Sequence, residues 1–208
     1  PKVEKTLSLH VWNDKPVGWL SVAKGPVMAG AELFSVKLTG KGGHGAAPDT
    51  TIDPVVAAAQ IVTALQTIVS RNVPPLKPAV VSVTSIHAGS AFNIIPQTAE
   101  INGTIRNFDP DVRKMVLARF EEIARGIGSS MGCEVEITLK QVTPTVINNE
   151  TVTDSVFKSA QALFPKTEIE TTPYLTMGAE DMGYMQEQVN GCYFFIGSAN
   201  DEKNLNYN

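Results

Sequence analysis

The chain contains 208 residues, of which 43% are apolar and 18% are charged, and its formal net charge is −4. This composition is typical of a packed globular protein and argues against a disordered one. The acidic balance indicates no basic face for nucleic acid, and no apolar run approaches the roughly 18 residues that a membrane span requires. We therefore expect neither nucleic-acid nor membrane partners.

The two cysteines, Cys133 and Cys192, lie far apart and outside any CxxC pattern. A disulfide framework is therefore not expected, and a reducing, cytoplasmic setting is the default. The chain begins at Pro1 without an initiator methionine and ends in the polar stretch 201–208. We expect it to be part of a longer protein.

Residues 1–30 predict short strands and turns that belong to an α/β domain. Leu7, Leu9 and Val11 alternate with polar residues, as in a half-buried strand. The stretch Asn13-Asp14-Lys15-Pro16 is typical of a turn, and residues 18–22 resume the extended pattern.

Residues 31–141 carry the order β-α-β-β-α-β. Strand-like alternation surrounds residues 34–39, 81–83, 98–106 and 135–139. Two helices are predicted to start at Asp53-Pro54 and Asp109-Pro110, where the aspartate caps the helix and proline occupies its first position. The order predicts a ferredoxin-like, four-stranded antiparallel sheet with two helices on one face.

Residues 142–208 return to an α/β pattern. Thr151 is predicted to cap a helix, and the apolar run Cys192–Ile196 between two glycines is typical of a strand buried on both faces. The fold class is therefore α/β. Residues 1–30 and 142–208 form one incomplete domain, into which the ferredoxin-like unit 31–141 is inserted.

Two histidines are candidates for chemistry. His10 lies in a strand-like stretch, where a half-buried structural histidine is the commoner outcome. His44 follows a strand inside a glycine-rich loop, and glycines let backbone approach a ligand closely and adopt positive φ. A plain glycine-rich turn explains that loop equally well. His87 has no such context and is interpreted as structural.

Three further positions are weaker candidates when each is taken alone. Asn93 precedes apolar residues and a proline, which is also typical of a turn. Arg106 projects from a strand and has the geometry to hold a carboxylate in two parallel hydrogen bonds, although a surface charge is the simpler reading. Gly178 lies in a loop that leads into a helix, whose dipole the following carboxylates would complement.

Five stretches occur together in a recognisable order: Leu9-His10-Val11-Trp12, Gly40-Lys41-Gly42-Gly43-His44-Gly45-Ala46-Ala47-Pro48, Asn93-Ile94-Ile95-Pro96, Gly103-Thr104-Ile105-Arg106 and Met177-Gly178-Ala179-Glu180-Asp181. Together they resemble the family of metal-dependent amidohydrolases that includes hippurate hydrolase, aminoacylases, thermostable carboxypeptidases and plant auxin-conjugate hydrolases.

The resemblance implies a catalytic domain with two divalent metal ions, interrupted by a lid through which the protein forms a homodimer. His10 would ligate a metal, and its imidazole suits Zn, Mn, Ni or Co alike. His44 would stabilise the oxyanion as the catalytic residue of an active site, often that of the partner subunit. Asn93 would hydrogen-bond the substrate, Arg106 would hold its free carboxylate, and Gly178 would line the pocket.

The sequence departs from the family pattern in the rest of the metal site. It has no counterpart of the upstream His and Cys ligands, of the Glu-Glu pair that carries the general base, or of a late His ligand. Its one pair of adjacent glutamates, Glu121-Glu122, is predicted on the solvated face of a helix. We interpret the chain as part of a hydrolase of N-acyl amino acids or peptides. A non-catalytic dimerisation or binding module and an esterase of activated esters are the alternatives.

Overall fold

The computed structural model describes residues 2–200. The chain divides into two compact units. One is the continuous segment Ala31–Val142, and the other combines the described residues of Pro1–Gly30 and Thr143–Asn208. The sequence predicts limits of 31 and 141 for the inserted unit. The roles of the two units, a lid and part of a catalytic domain, are predictions.

The elements follow one another as three groups along the chain. The first group contains β1 (Thr6–Pro16), β2 (Leu20–Ser21) and β3 (Gly25–Met28). The second contains β4 (Gly30–Thr39), β5 (Gly43–His44), a 3-10 turn (Pro48–Thr50), α1 (Pro54–Thr67), a π-helical turn (Ile68–Asn72), β6 (Ala79–Ala88), β7 (Ile94–Ile95), β8 (Thr98–Asn107), α2 (Pro110–Ser130) and β9 (Glu134–Thr143). The third contains β10 (Val146–Asn148), α3 (Glu150–Leu163), β11 (Ile169–Glu170), α4 (Met182–Gln186) and β12 (Gly191–Ala199).

The continuous unit is built on a four-stranded sheet of order β6–β8–β4–β9. Strands β6 and β8 pair antiparallel from Ala79↔Asn107 to Ala88↔Ala99, with a bulge between Val83 and Ser85. Apolar residues of this sheet share one core with α1 and α2. The fully buried residues of that core include Val36, Leu38, Ile61, Leu65, Ile101, Ile105, Val116 and Phe120. The predicted four-stranded sheet with two helices is confirmed.

Both aspartate-proline pairs begin their helices as the sequence predicts. The Asp53 carboxylate accepts hydrogen bonds from the backbone N–H groups of Val55 and Val56. Asp109 does the same for Asp111 and Val112 at the start of α2. These bonds satisfy amide donors that have no partner inside the helix.

The cap predicted for α3 is wrong by two residues. Asn149 caps this helix, and its side-chain oxygen accepts a hydrogen bond from the backbone N–H of Val152 at 3.1 Å. Thr151 therefore lies within the first turn. Asparagine is at least as good an N-cap residue as threonine, and it occurs first along the chain.

The other unit contains a mixed sheet of order β1–β12–β2–β11. Strand β1 pairs parallel with β12 from Thr6↔Gly191 to Trp12↔Gly197, and β12 pairs antiparallel with β2. A second, two-stranded sheet joins β3 and β10. The α/β class predicted from the sequence is confirmed.

The turn predicted at residues 13–16 is wrong. These residues continue β1 through a register shift between Trp12 and Pro16, and the chain reverses only afterwards. The Trp19 N–H donates to the Pro16 carbonyl at 3.0 Å, and Gly18 in this turn has φ +96°, which favours glycine. Pairing with β12 outweighs the local turn preference. None of the helices within residues 2–200 is long and apolar enough to cross a bilayer.

Candidate functional site

His10 is held in a defined orientation on β1. Its Nδ1 lies 2.7 Å from the carbonyl oxygen of Val11. A carbonyl can only accept a hydrogen bond, so Nδ1 carries the proton and Nε2 of the neutral ring keeps its lone pair. A backbone carbonyl at the remote nitrogen is a common way to orient a metal-binding histidine.

A cleft of about 510 Å³ opens beside His10. Gly178 lines the same cleft, so the structure brings together two of the residues that the sequence singled out. The Gly178 carbonyl accepts a hydrogen bond from the Ala29 N–H at 3.0 Å. A Cβ at position 178 would lie 3.1 Å from the Met28 methyl carbon, so a side chain here would crowd the cleft wall.

Sequence reasoning did not select Glu180 and Tyr193 as site residues. The Glu180 Oε1 atom lies 3.6 Å from His10 Nε2, and its carboxylate is hydrogen-bonded to the Tyr193 hydroxyl. Tyr193 is only 2% exposed. Burial, and then the charges of Glu180 and Asp181, raise the pKa of this phenol, so it remains a proton donor.

Each of these two residues left a signal in the sequence. Tyr193 carries the one hydroxyl group in the otherwise apolar run Cys192–Ile196. Glu180 lies inside one of the five family-like stretches. Its assignment to a helix dipole is poorly supported, because α4 has only five residues and the Asp181 side chain makes no cap hydrogen bond.

The fit of a metal ion to these groups is partial. His10 and Glu180 present one imidazole nitrogen and one carboxylate oxygen toward each other. Within residues 2–200, no three His, Cys, Asp or Glu side chains form a group that could hold a metal ion. Catalytic zinc sites use about three protein ligands. The described part of the chain thus supplies two facing ligand atoms, which is fewer than a catalytic zinc site requires.

In the other unit, His44 lies on a two-stranded ribbon formed by β5 and β7. His44 pairs with Ile94, and the Gly45 N–H donates to the Asn93 carbonyl at 2.8 Å. The ribbon therefore joins His44 and Asn93, and both side chains are exposed on it.

The tautomer of His44 is opposite to that of His10. The backbone N–H of Ala46 lies 3.1 Å from His44 Nδ1. An amide N–H can only donate, so Nδ1 accepts and Nε2 of the neutral ring carries the proton. The exposed imidazole consequently offers an N–H donor.

The glycines around His44 serve close packing. Positive φ among the described glycines occurs at Gly18, Gly25, Gly89 and Gly132, and not in this loop. A Cβ at Gly40 would lie 2.2 Å from the Ile52 carbonyl oxygen, and one at Gly42 would lie 2.8 Å from that of Ile95. The glycines of this loop therefore allow close backbone packing and do not supply positive φ.

Arg106 lies on β8 opposite Val80 and is half-buried. Its Nε donates to the Thr104 hydroxyl at 3.1 Å, and that hydroxyl donates to the Glu32 carbonyl at 2.9 Å. The buried Glu32 carboxylate is paired with Arg113. No carboxylate of the described residues lies within 4.0 Å of Arg106, so its guanidinium is available to a ligand.

The structure separates Arg106 from the His44 ribbon. The Gly40 N–H donates to the Gln97 carbonyl at 2.8 Å, which places the ribbon beside the first residue of β8. Arg106 lies eight residues further along the same strand, or roughly 26 Å at the usual rise per residue. It is at the opposite end of the sheet, where β4 begins.

Comparison with known proteins gives consistent matches. Residues 29–131 match the family model described as a peptidase dimerisation domain. Thermostable carboxypeptidase 1 of Saccharolobus solfataricus is 39% identical over 207 residues, which cover 99% of this chain and 51% of that protein. N-acetylcysteine deacetylase of Bacillus subtilis is 35% identical over 97% of this chain and 52% of its own length.

A solved structure agrees with these relatives. The Bacillus subtilis YXEP protein, described as a dinuclear metal binding peptidase from the M20 family, superposes with a TM-score of 0.77 at 30% identity. The match covers 94% of this chain and 48% of that one. The chain spans about half the length of the curated relatives that it matches.

Proposed function

Because the chain belongs to the M20 family of metal-dependent amidohydrolases and carboxypeptidases, we propose that it is part of an enzyme that hydrolyses the amide bond of N-acyl amino acids or peptides. The observation that carries the proposal is the pair of opposite imidazole tautomers. His10 keeps an Nε2 lone pair for a metal, and His44 keeps an Nε2–H donor for a developing oxyanion.

The remaining candidates fit the recognition of such a substrate. Asn93 lies beside His44 and would donate its side-chain amide to the substrate. Arg106 would hold the free carboxylate, because its guanidinium has no carboxylate partner among residues 2–200. Gly178 would leave room for the substrate in the cleft beside His10.

We propose two divalent metal ions in the complete enzyme, since a structural neighbour is named as a dinuclear metal binding peptidase. When bound, such ions polarise the scissile carbonyl and activate a water molecule. His10 would hold one of them. An imidazole ligand suits Zn, Mn, Ni or Co.

The length of the sheet supports a homodimer with shared sites. One substrate does not span the roughly 26 Å between Arg106 and the His44 ribbon of one copy. We propose that Ala31–Val142 is the dimerising lid, that the other unit belongs to the catalytic domain, and that His44 and Asn93 serve the partner's site. The match to a dimerisation domain supports this arrangement.

Mixing two impaired variants tests the shared sites. We expect a His44→Ala dimer and an Arg106→Ala dimer, each nearly inactive, to recover roughly a quarter of the wild-type rate after subunit exchange, because half of the dimers then contain one intact site. The measurement is hydrolysis before and after exchange. No recovery would place both residues in the same copy's site.

The two cysteines suit the proposed reducing, cytoplasmic setting. Cys133 and Cys192 are both buried as free thiols. Burial raises the pKa of each thiol, which keeps it protonated and unreactive.

Hydrolysis by the complete protein tests the proposed function. We expect release of the free amino acid from N-acetyl amino acids, loss of that activity with a chelator, and its recovery with Zn²⁺ or Mn²⁺. Activated esters serve as the parallel substrate. Ester hydrolysis that withstands the chelator would argue against metal chemistry, and no hydrolysis of either class would favour a non-catalytic dimerisation module.

A further inference from the structure

The pair His10 and Glu180 has an arrangement that orientation of the ring alone does not explain. The Val11 carbonyl accepts a hydrogen bond from Nδ1 of His10, so Nε2 is the ring atom that faces Glu180. His10 Nε2 and Glu180 Oε1 lie 3.6 Å apart. A proton on Nε2 would make this an ordinary ion pair, whereas a metal ion between the two atoms would be bound by both of them.

We propose that Glu180 ligates the same divalent cation as His10 and that Tyr193 holds its carboxylate in the ligating position. The inference rests on the proposed metal-dependent hydrolase. It adds a ligand that comes from the loop after β11 and an orienting hydroxyl from β12.

The distance between the two atoms fits a shared ion. Zinc bonds to imidazole nitrogen and to carboxylate oxygen at about 2.1 Å, which in a tetrahedral shell places the two ligand atoms roughly 3.4 Å apart. The observed separation is 3.6 Å. Both side chains therefore reach one ion without changing rotamer.

The surroundings leave the position between His10 and Glu180 open to a cation from solution. The side chains of His10 and Glu180 are 38% and 32% exposed. Asp14 and Asn13 also line the cleft and add no positive charge. The Lys15 ammonium lies over the rings of Trp19 and Tyr174, 5.4 Å and 4.7 Å from their centroids.

Tyr193 gives the carboxylate its orientation. The phenol is fully buried on β12, the strand that pairs with β1, and it donates to Glu180. A carboxylate fixed by a hydrogen bond loses less side-chain freedom when it binds a metal. Removal of such outer partners typically weakens metal binding by about 10- to 100-fold.

Titration of the 208-residue chain with Zn²⁺ by calorimetry tests the assignment. We expect weak binding that His10→Ala abolishes, because the described residues offer only two ligands. Glu180→Gln should raise Kd at least about tenfold, and Tyr193→Phe should raise Kd about tenfold while Glu180 is intact. The matched control is Asp181→Asn, which removes an adjacent exposed charge and should change Kd less than about threefold.

Circular dichroism confirms that each variant folds, since glutamine and phenylalanine preserve the shape of the residues they replace. Equal effects of Glu180→Gln and Asp181→Asn would overturn the inference, as would wild-type binding that is independent of His10 or undetectable. Zinc affinity is measured without substrate, so equal effects of Glu180→Gln and Asp181→Asn would leave the hydrolase proposal untouched. Binding that is independent of His10 would in addition remove the metal-ligand role of His10 from that proposal. Failure of the complete wild-type protein to hydrolyse N-acetyl amino acids would instead contradict that proposal directly.

Discussion

His44→Ala lowers the kcat of the complete enzyme by about 10²–10³-fold and changes KM little, which is the size of effect expected when an oxyanion donor is removed. The reason lies in the tautomer. The Ala46 N–H donates to Nδ1, so the proton of the exposed neutral ring is on Nε2. From there the ring can donate a hydrogen bond to a developing negative charge. Alanine offers no donor at this position. Steady-state kinetics on an N-acetyl amino acid measures the change.

Two companion variants sharpen this test. His44→Gln keeps an N–H donor and should recover part of kcat. His87→Ala removes another exposed histidine of the same unit and should leave both constants near wild type. A defect of His44→Ala confined to KM would assign His44 to substrate positioning and remove it from oxyanion stabilisation.

Arg106→Ala raises KM by on the order of 100-fold for substrates with a free carboxylate, and much less for the corresponding amides. A bidentate guanidinium–carboxylate pair contributes two charge-assisted hydrogen bonds, each of about 1.5–3 kcal/mol. Arg106 suits this role because Thr104 fixes its Nε and no carboxylate of the described residues neutralises it. Parallel kinetics on acid and amide forms of one substrate give the comparison.

The controls separate charge from geometry. Arg106→Lys keeps the positive charge but not the two parallel N–H donors of the guanidinium, so it should recover only part of the affinity for the free carboxylate. Arg125→Ala removes an arginine from α2 that is 51% exposed and already pairs with Glu121 at 3.7 Å, and it should alter neither constant appreciably. An equal rise of KM for acid and amide would rule out a carboxylate contact.

Local signals succeeded where a short stretch of chain decides the structure. Asp53 and Asp109 cap their helices because an aspartate carboxylate reaches amides two and three residues ahead. Local signals failed where a distant segment competes with them. Residues 13–16 have the composition of a turn, yet they extend β1 because this strand pairs with β12, about 180 residues later in the chain.

The candidate site shows the same division. The resemblance singled out His10, His44, Asn93, Arg106 and Gly178 one stretch at a time, but it could not show which of them meet. Backbone pairing of β5 with β7 joins His44 to Asn93, whereas the length of β8 carries Arg106 to the other end of the sheet. Glu180 escaped selection because its partners, His10 and Tyr193, are remote in sequence.

The sequence by itself determined the α/β class, the β-α-β-β-α-β order of the middle unit and the residue types that make amide hydrolysis chemically reasonable. The class and the element order follow from hydrophobic period and capping, which act over a few residues. The candidate residues for amide hydrolysis follow from the resemblance of five stretches to a family of metal-dependent amidohydrolases. The tertiary structure alone decided the two histidine tautomers, the His10–Glu180–Tyr193 cluster and the separation of Arg106 from His44. Hydrogen-bond partners and strand register depend on which distant segments pack together, and no local pattern encodes them.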